Sequence, residues 1–264
     1  MKVVLTIAGS DSSGGAGIQA DLKTFEAHGI YGASVVTVLT AQNTKGVTDI
    51  SSVTPQFVKA QLDAIFDDLD VAAIKIGMLF SNEIIDVVRE YIKNLTIPIV
   101  FDPVFISKAG SKLLQDDAIE SMKSLLPYAT ITTPNLFEAK ELFGFEVLNS
   151  DSLEGVFNAP CSVLIKNHIH TMNEKEKSID ILFQGRDKSV YMTPYITTNN
   201  THGTGCSYSS AIAANLALGH DLHTSVHNAK NFVYESIIHA PNIGHGKGVI
   251  NHRIGGKICL EIQN

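Results

Sequence analysis

Short apolar runs rich in β-branched residues alternate along the chain with longer segments of helical character. Such runs are typical of strands that are buried inside a sheet. In the first half of the chain we expect strands at residues 3–8, 33–40, 72–77, 97–101 and 130–133. We expect helices at residues 18–28, from Pro55 onwards, at 82–94, within 112–126 and after Asn135. Thr54 is the expected N-cap of the second of these helices, since Thr caps well and Pro is favoured at the first helical position.

The second half continues the alternation and ends in two helices. Strands are expected at residues 162–166, 178–184 and 189–193, and helices at residues 203–218 and about 222–240. Strand–helix–strand units build parallel sheets with right-handed crossovers. The chain is therefore predicted to form a doubly wound α/β fold with a mostly parallel central sheet and helices on both faces. Residues 46–53 alternate polar and apolar positions, which suggests a small strand pair that forms a β flap. No linker or repeat divides the chain, so one domain over residues 1–264 is expected.

Composition narrows the functional class. The chain has 264 residues and a net charge of −7, which argues against a nucleic-acid-binding surface. No apolar stretch approaches the ~20 residues of a membrane span. The cysteines are Cys161, Cys206 and Cys259, an odd number without a CxxC pair, so neither a disulfide framework nor a cysteine zinc site is expected. Reduced thiols favour a cytoplasmic location.

A glycine-rich loop follows the first strand. It lacks the Gly-Lys-Ser/Thr ending of a Walker A loop, but GAGIQA at residues 15–20 matches the G-x-G-x-x-A pattern of dinucleotide-binding folds. Those folds place an acidic residue about twenty positions later, and the sequence there, TAQNT at residues 40–44, has none. A nicotinamide oxidoreductase is therefore disfavoured. Glycines in this loop still allow the backbone to approach a small ligand closely.

A second glycine turn, Gly203-Thr204-Gly205-Cys206, opens a helix of small residues. Free backbone N–H groups and the helix dipole at such a turn favour an anion. Cys206 lies where that dipole is expected to lower the pKa of a thiol. An anion cradle beside a potential base suits phosphoryl transfer, which depends mainly on positioning and charge stabilisation.

Polar side chains also follow the strands, where a doubly wound sheet binds its ligand. Carboxylates and amides there could position a metal with phosphates, and Lys166 could neutralise phosphate charge. The residues expected at this edge, besides the glycine turn, are Asp11, Gln42, Met78, Asp102, Asn135, Glu138 and Lys166. Each also has a simpler interpretation: Met78 fills a core, and Asn135 with Glu138 forms a helix capping box.

Several collinear motifs resemble the hydroxymethylpyrimidine/phosphomethylpyrimidine kinases of thiamine biosynthesis, which belong to the ribokinase-like superfamily. They are AGSD at residues 8–11, GGAGIQADLK at 14–23, TAQNT at 40–44, KIGML at 75–79, DPV at 102–104, TPN at 133–135 and THGTGC at 201–206, with GHG at 244–246 and NH at 251–252. The resemblance covers roughly residues 3–252. It implies phosphorylation by ATP, with Mg²⁺, of 4-amino-5-hydroxymethyl-2-methylpyrimidine and then of its monophosphate.

The resemblance also implies roles for individual residues. The pyrimidine is expected to contact Ala16, Asp21, Gln42, Met78 and Val104. ATP and magnesium are expected at Asp102, Asn135, Glu138, Lys166 and Thr204, with Asp102 and Glu138 on the metal. Gly203, Thr204 and Gly205 would form the anion hole, and Lys166 would assist catalysis by neutralising phosphate charge. Cys206 would take the hydroxyl proton. Relatives in the superfamily commonly pair through the small flap, so a homodimer is expected.

Two stretches depart from the family pattern. After Lys166, where a glycine pair is usual, the chain has Asn167-His168, and after Val104 it continues with Phe105-Ile106. The departure after Lys166 keeps open a pyrimidine-binding protein that has lost phosphoryl transfer. A pyridoxal kinase of the same fold is the other alternative, since both substrates are flat six-membered rings with a hydroxymethyl group. His223 and His227 have a zinc-compatible spacing but no obvious third ligand, so exposed helix positions are the favoured interpretation.

Overall fold

The computed structural model describes residues 1–104, 118–145, 153–172 and 174–256. Within these ranges nine strands form one sheet in the order β3-β2-β1-β4-β5-β6-β7-β8-β9. The strands are β1 (Val3–Asp11), β2 (Tyr31–Asn43), β3 (Gly46–Ser52), β4 (Val71–Ile76), β5 (Ile99–Phe101), β6 (Ile131–Thr132), β7 (Ser162–Met172), β8 (Lys175–Gln184) and β9 (Asp187–Pro194). The six neighbouring strands β2, β1, β4, β5, β6 and β7 are parallel to one another. At one edge β3 pairs antiparallel with β2, and at the other edge β8 pairs antiparallel with both β7 and β9.

Helices cover both faces of the sheet. They are α1 (Gly17–Ala27), α2 (Pro55–Asp68), α3 (Asn82–Ile92), α4 (Ala118–Lys123), α5 (Leu136–Phe143), α6 (Glu154–Phe157), α7 (Thr204–Ala217) and α8 (Leu222–Ile238). One apolar core lies between the sheet and α2, α3 and α4, and a second lies between the sheet and α1, α7 and α8. The predicted doubly wound, mostly parallel α/β fold is confirmed. Among the described residues no helix combines the length and apolarity needed to cross a bilayer.

Local sequence signals explain several element boundaries. The side chain of Thr54 accepts a hydrogen bond from the Phe57 N–H and caps α2. Asn135 and Glu138 form a capping box at α5, and Gly144 ends that helix in the left-handed conformation. Thr54 was expected as a cap, and the capping box was the simpler of the two interpretations of Asn135 and Glu138. The short helix α6 was not predicted.

Three predicted elements differ in extent. The flap is made by β3 pairing with the end of β2, not by two strands within residues 46–53. Strand β7 runs on past Lys166 to Met172, since an antiparallel hairpin with β8 continues to pair it, with a register shift between Ile165 and His168. The helix expected within residues 112–126 is described only from Ala118, and the Phe105-Ile106 departure and Cys259 lie outside the described residues.

The strand order places a ligand site between β1 and β4. Strand β1 leads to β2 on one side, and the chain later returns to add β4 on the other side. In such sheets the crevice beyond the carboxyl ends of the two strands is the usual binding position. The loop after β1, the end of β4 and the first turn of α7 all meet there.

Candidate active site

A cavity of about 150 Å³ lies at this switch point. It is lined by most of the sequence-predicted residues: Ala16, Gln42, Met78, Asp102, Val104, Asn135, Glu138, Lys166, Gly203, Gly205 and Cys206. Cavities of similar size elsewhere hold a single benzene ring, so one six-membered ring matches the volume. The structure therefore brings together residues as far apart along the chain as Ala16 and Cys206.

Gln42 and Met78 give this cavity one polar and one apolar wall. Met78 packs with Val38 and against Val104 in a small cluster at the flap. The Gln42 side-chain oxygen accepts a hydrogen bond of 3.1 Å from the Thr40 hydroxyl, which leaves its NH₂ group to donate elsewhere. An apolar slot with an amide donor can orient a polar heterocycle.

Lys166 and Asp102 form a buried ion pair on the opposite wall. The Lys166 Nζ donates to Asp102 Oδ1 at 2.5 Å. The same oxygen accepts from the Thr133 hydroxyl at 2.9 Å, and Oδ2 accepts from the Ser209 hydroxyl at 3.3 Å. Burial opposes the charge on Asp102, but the ammonium groups of Lys166 and Lys75 outweigh it and hold the pKa of Asp102 below its usual range. Both oxygens of Asp102 thus accept hydrogen bonds from protein donors, and its expected contact with magnesium stays a prediction.

The ammonium group of Lys166 keeps its positive charge in this setting. Burial alone would lower the pKa of Lys166, but the carboxylates of Asp102 and Glu138 raise it above the ordinary value. Lys166 also approaches the glycine turn, because a Cβ placed on Gly205 would lie 3.4 Å from its Nζ. A cation is therefore fixed beside the backbone of the predicted anion hole.

A second buried ion pair lies beneath the cavity and was missed from the sequence. Lys75 lines the cavity floor, and its Nζ lies 2.9 Å from Asp21 Oδ2 and 3.0 Å from Oδ1. Asp21 also accepts hydrogen bonds from the hydroxyls of Thr6 at 2.6 Å and Ser210 at 2.7 Å. Both charged side chains are fully buried. Burial opposes the charge on Lys75, but the carboxylates of Asp21 and Asp102 raise its pKa above the ordinary value.

Asp21 is the one predicted substrate contact that the structure does not bring to a cavity wall. It is 0% exposed, and its carboxylate is enclosed by Lys75, Thr6 and Ser210. From the sequence alone, Asp21 near the start of α1 could be interpreted only as a ligand contact or as a partner of the helix dipole. Its ion-pair partner, Lys75, lies 54 positions away along the chain. Asp21 therefore holds the floor of the site and reaches the cavity only through Lys75.

The Gly203–Cys206 turn has the geometry expected of a helix start. Gly203 is in the left-handed conformation, with φ of 81°, and a Cβ there would lie 1.8 Å from the Gly15 carbonyl oxygen. Only glycine fits this close approach between the two glycine loops. The first turn of α7, with Gly205 and Cys206, lines the cavity, and N–H groups at a helix start favour an anion.

The environment of Cys206 contradicts one prediction. Burial among protein atoms raises the pKa of the Cys206 thiol, and the carboxylates of Asp21 and Asp102 act in the same direction. Lys75 and the Gly17 N–H act against this rise but do not reverse it. The expectation that the helix start lowers the pKa is therefore wrong for the resting protein, where the group is a thiol.

The two glycine loops are joined by a His–Asp pair. His202 Nε2 lies 2.8 Å from Asp11 Oδ2, and Asp11 also accepts from the N–H groups of Gly15 and Ala16. Burial opposes the charge on Asp11, but these bonds, led by His202, hold the pKa of Asp11 well below its usual range. His202 lines the cavity and was not assigned from the sequence. Its motif, THGTGC, was the only signal that could have indicated it.

A larger cavity of about 380 Å³ adjoins the first one. Lys166 and Gly205 line both, and Thr204 lines the second. Strands β8 and β9, the segment after β9 and helix α8 supply most of its other walls. The two cavities thus meet at the turn from Gly203 to Cys206, which we call the anion turn.

The described residues contain no group of three or more His, Cys, Asp or Glu side chains placed to hold a metal by themselves. His223 and His227 are exposed on α8 and bond with Tyr191 and Asn231. Magnesium usually binds through one or two carboxylates together with substrate phosphates and water. Glu138 lines the first cavity, where one of its oxygens accepts the Asn135 N–H at 2.8 Å. This carboxylate fits an ion of that kind carried on phosphates.

Comparison with known proteins identifies the family of this chain. Residues 11–251 match the model of the phosphomethylpyrimidine kinase family. A hydroxymethylpyrimidine/phosphomethylpyrimidine kinase of Haemophilus influenzae is 42% identical over 261 residues, which cover 96% of this chain and 97% of the relative.

Solved structures include similar chains. A phosphomethylpyrimidine kinase from Clostridium difficile superposes with a TM-score of 0.75 at 42% identity, covering 89% of this chain and 99% of its own. A Bacillus subtilis pyridoxal kinase in complex with ADP superposes with a TM-score of 0.83 at 33% identity, covering 96% of this chain and 98% of its own. With this sequence match, this fold and this site, the chain belongs to the phosphomethylpyrimidine kinase family.

Proposed function

We propose that the protein transfers a phosphoryl group from ATP to 4-amino-5-hydroxymethyl-2-methylpyrimidine and then to the resulting monophosphate. The observation that carries this proposal is the meeting of two cavities at Lys166 and Gly205. The smaller one matches a single ring, and the larger one leaves room for a nucleotide. A transferable phosphate of that nucleotide would then lie at the anion turn, between donor and acceptor.

The pyrimidine is assigned to the cavity lined by Ala16, Gln42, Met78 and Val104. The NH₂ group of Gln42 can donate to a ring nitrogen, while Met78 and Val104 contact the faces and the methyl group. The hydroxymethyl group would then point to the turn from Gly203 to Cys206. Proximity and orientation of this kind are a large part of catalysis when two substrates must meet.

The anion turn and Lys166 stabilise charge during transfer. The phosphoryl transition state is loose and spreads negative charge over its equatorial oxygens, so fixed donors around it matter most. Gly203, Thr204 and Gly205 supply backbone donors, and Lys166 supplies the cation. Asp102 is assigned as the residue that positions Lys166.

Cys206 is assigned as the acceptor of the hydroxyl proton. Its raised pKa means that the thiolate is a minor form near neutrality. In a loose transition state the hydroxyl proton leaves late. The need for the thiolate form of Cys206 therefore slows the reaction less than the loss of the anion hole would. The activity should therefore rise as the pH rises toward the pKa of the thiol.

Magnesium is assigned to the phosphates of ATP, with Glu138 as the protein carboxylate nearest to them. The ion would offset phosphate charge during transfer. Asn135 fixes this carboxylate, because it and Glu138 cap α5 reciprocally. Asn135 thereby positions the metal side of the site as well as the helix.

The test is the mass of the product formed with the pyrimidine alcohol, ATP and magnesium. We expect one phosphate to be added and then a second, with equal formation of ADP. Binding of the pyrimidine without ADP formation would contradict the proposal and favour a pyrimidine-binding protein without kinase activity.

A pyridoxal kinase activity is the second candidate, and the similarity to the Bacillus subtilis pyridoxal kinase is the observation that favours it. Pyridoxal is also a flat six-membered ring that carries a hydroxymethyl group. Comparing kcat/KM for the pyrimidine alcohol and for pyridoxal decides which activity is the main one. A higher kcat/KM for pyridoxal would make the pyridoxal kinase activity the first candidate.

The proposal also includes a cellular location and an oligomeric state. The chain is assigned to the cytoplasm, where thiols such as Cys161 and Cys206 stay reduced. It is assigned as a homodimer that pairs through the flap, since β3 is an edge strand with mostly exposed residues. Sedimentation of the protein tests the dimer, and a monomeric mass at micromolar concentration would contradict it.

A further inference from the structure

The floor of the second cavity contains a buried ion pair to which the proposed phosphoryl transfer assigns no role. Lys230 of α8 and Asp180 of β8 approach to 2.7 Å, and their side chains are 9% and 1% exposed. Lys230 also donates to the Ser178 hydroxyl at 3.0 Å. All three residues line the cavity.

The ammonium of Lys230 has a donor to spare. A lysine ammonium has three N–H donors; one donates to the Ser178 hydroxyl, and the contact with Asp180 Oδ2 is an ion pair. Within the described part of the chain, no third protein acceptor bonds to it. Burying an ion pair costs desolvation that apolar residues would avoid, so a cation with a remaining donor on a cavity floor indicates a ligand acceptor.

The walls around this cation are apolar and aromatic. They include Tyr195, Tyr208, Val233 and Tyr234. Flat apolar walls with one fixed donor suit an aromatic heterocycle whose ring nitrogens accept hydrogen bonds. The opposite end of the cavity reaches Lys166 and Gly205, where the phosphates of a nucleotide belong.

We propose that Lys230 reads the nucleobase of the phosphoryl donor by donating a hydrogen bond to a ring nitrogen of a purine. Asp180 is then a positioning residue, because it fixes the ammonium at the cavity floor. This inference rests on the proposed function, which assigns ATP to the second cavity. If instead the pair only joins α8 to β8, its removal changes stability without changing how the base is recognised.

The experiment compares ATP with 1-deaza-, 3-deaza- and 7-deaza-ATP, each of which lacks one ring nitrogen. Equilibrium binding to the full chain is measured by calorimetry, without pyrimidine. One analogue should bind the parent protein about 10–100-fold more weakly than ATP, as is typical of a lost hydrogen bond to a charged group. If all three analogues bind as tightly as ATP, the inference is overturned, whatever the variants do.

The variants connect the lost nitrogen to Lys230. In Lys230→Met, ATP should bind about as weakly as the affected analogue binds the parent, and that analogue should lose no further affinity. In Lys230→Gln, which keeps a neutral donor, part of the preference for ATP should return. If Lys230→Met keeps the parent's full preference for ATP over the affected analogue, the inference is overturned.

Lys247→Met is the matched control, because Lys247 lines the same cavity but is exposed. It removes the same charge and should leave the pattern among the analogues unchanged. A loss of the pattern in this control would overturn the assignment to Lys230. Failure of the proposed function is distinguishable, since it means no ADP formation by the parent protein, whereas failure of this inference leaves ADP formation intact.

Discussion

Two buried lysines serve the same site in different settings. Lys75 is bound to Asp21, whose carboxylate is enclosed by Thr6 and Ser210 beneath the cavity. Lys166 is bound to Asp102, which itself lines the cavity, and Lys166 contacts both cavities beside Gly205. In the first pair only Lys75 reaches the cavity, at its floor, whereas both members of the second pair line it. We therefore expect the first pair mainly to stabilise the fold and the second to act on substrate charge.

The largest expected effect is on stability, in Lys75→Met. This change leaves the Asp21 carboxylate buried without its cation, which typically costs about 3–5 kcal/mol in the free energy of unfolding. Denaturant unfolding measures it. The turnover of the folded fraction should change by less than about tenfold, or ~1.4 kcal/mol.

A double variant is the control for this effect. In Asp21→Leu with Lys75→Met, both charges are replaced by apolar groups, and most of the lost stability should return. A double variant as unstable as the single one would mean that the pair itself, and not the orphaned carboxylate, determines the loss.

The second largest effect is expected on kcat, in Lys166→Met. It leaves Asp102 on a cavity wall that water can reach, so the stability loss should be smaller than in Lys75→Met. Loss of one fixed donor to transition-state charge typically lowers kcat about 10²–10³-fold. Steady-state kinetics measures the loss, and Lys166→Arg should recover part of it. An unchanged kcat in Lys166→Met would remove this lysine from the catalytic site.

Cys206 connects the two lysines, because Lys75 opposes the rise of its pKa and Cys206 contributes to the raised pKa of Lys166. Since that pKa is raised above its ordinary value, the thiolate fraction grows with pH across the neutral and mildly alkaline range. The kcat of the parent protein should rise over the same range. In Cys206→Ala, kcat should fall about 10²-fold near neutrality, the lower limit of typical proton-transfer effects, and its alkaline rise should flatten.

Alkylation by iodoacetamide checks the same assignment. The rate of modification of Cys206 should increase with pH, and the pyrimidine should protect the thiol. If mass spectrometry shows Cys206 modified while full activity remains, Cys206 is not the proton acceptor.

The smallest effect is expected for Glu138→Gln. Gln preserves the capping box of α5 but removes the charge beside Lys166. The magnesium concentration for half-maximal activity should rise about tenfold, as for groups that orient a metal without holding it alone. Titration with magnesium measures this, and Glu138→Ala is the control that also loses the cap. An unchanged magnesium requirement in Glu138→Gln would separate Glu138 from the ion.

The parts of this site that lie in local motifs could be predicted from the sequence. The turn from Gly203 to Cys206 and the capping residue Asn135 depend on neighbouring residues, and both are found where they were expected. The role of Asp21 could not be predicted, because Lys75 lies 54 positions away and only the fold brings them together. The pKa direction of Cys206 was also missed, since burial by distant residues outweighs the local helix start.

The second cavity was missed for a related reason. Most of its walls come from β8, β9, the segment after β9 and α8, and the sequence analysis predicted the elements there without any motif that indicates a ligand. Strand β7 continues past Lys166 because β8 pairs with it, and that pairing is not visible in residues 162–172 alone.

The contrast between the two lysines is tested most directly by single-turnover transfer of the terminal phosphoryl group of labelled ATP to the pyrimidine alcohol. The measurement uses Lys166→Met and Lys75→Met side by side, at saturating substrates and with the rate expressed per folded molecule. The account predicts slow transfer in Lys166→Met, about 10²–10³-fold below the parent, and transfer within about tenfold of the parent in Lys75→Met. Normal transfer in Lys166→Met together with slow transfer in Lys75→Met would contradict it.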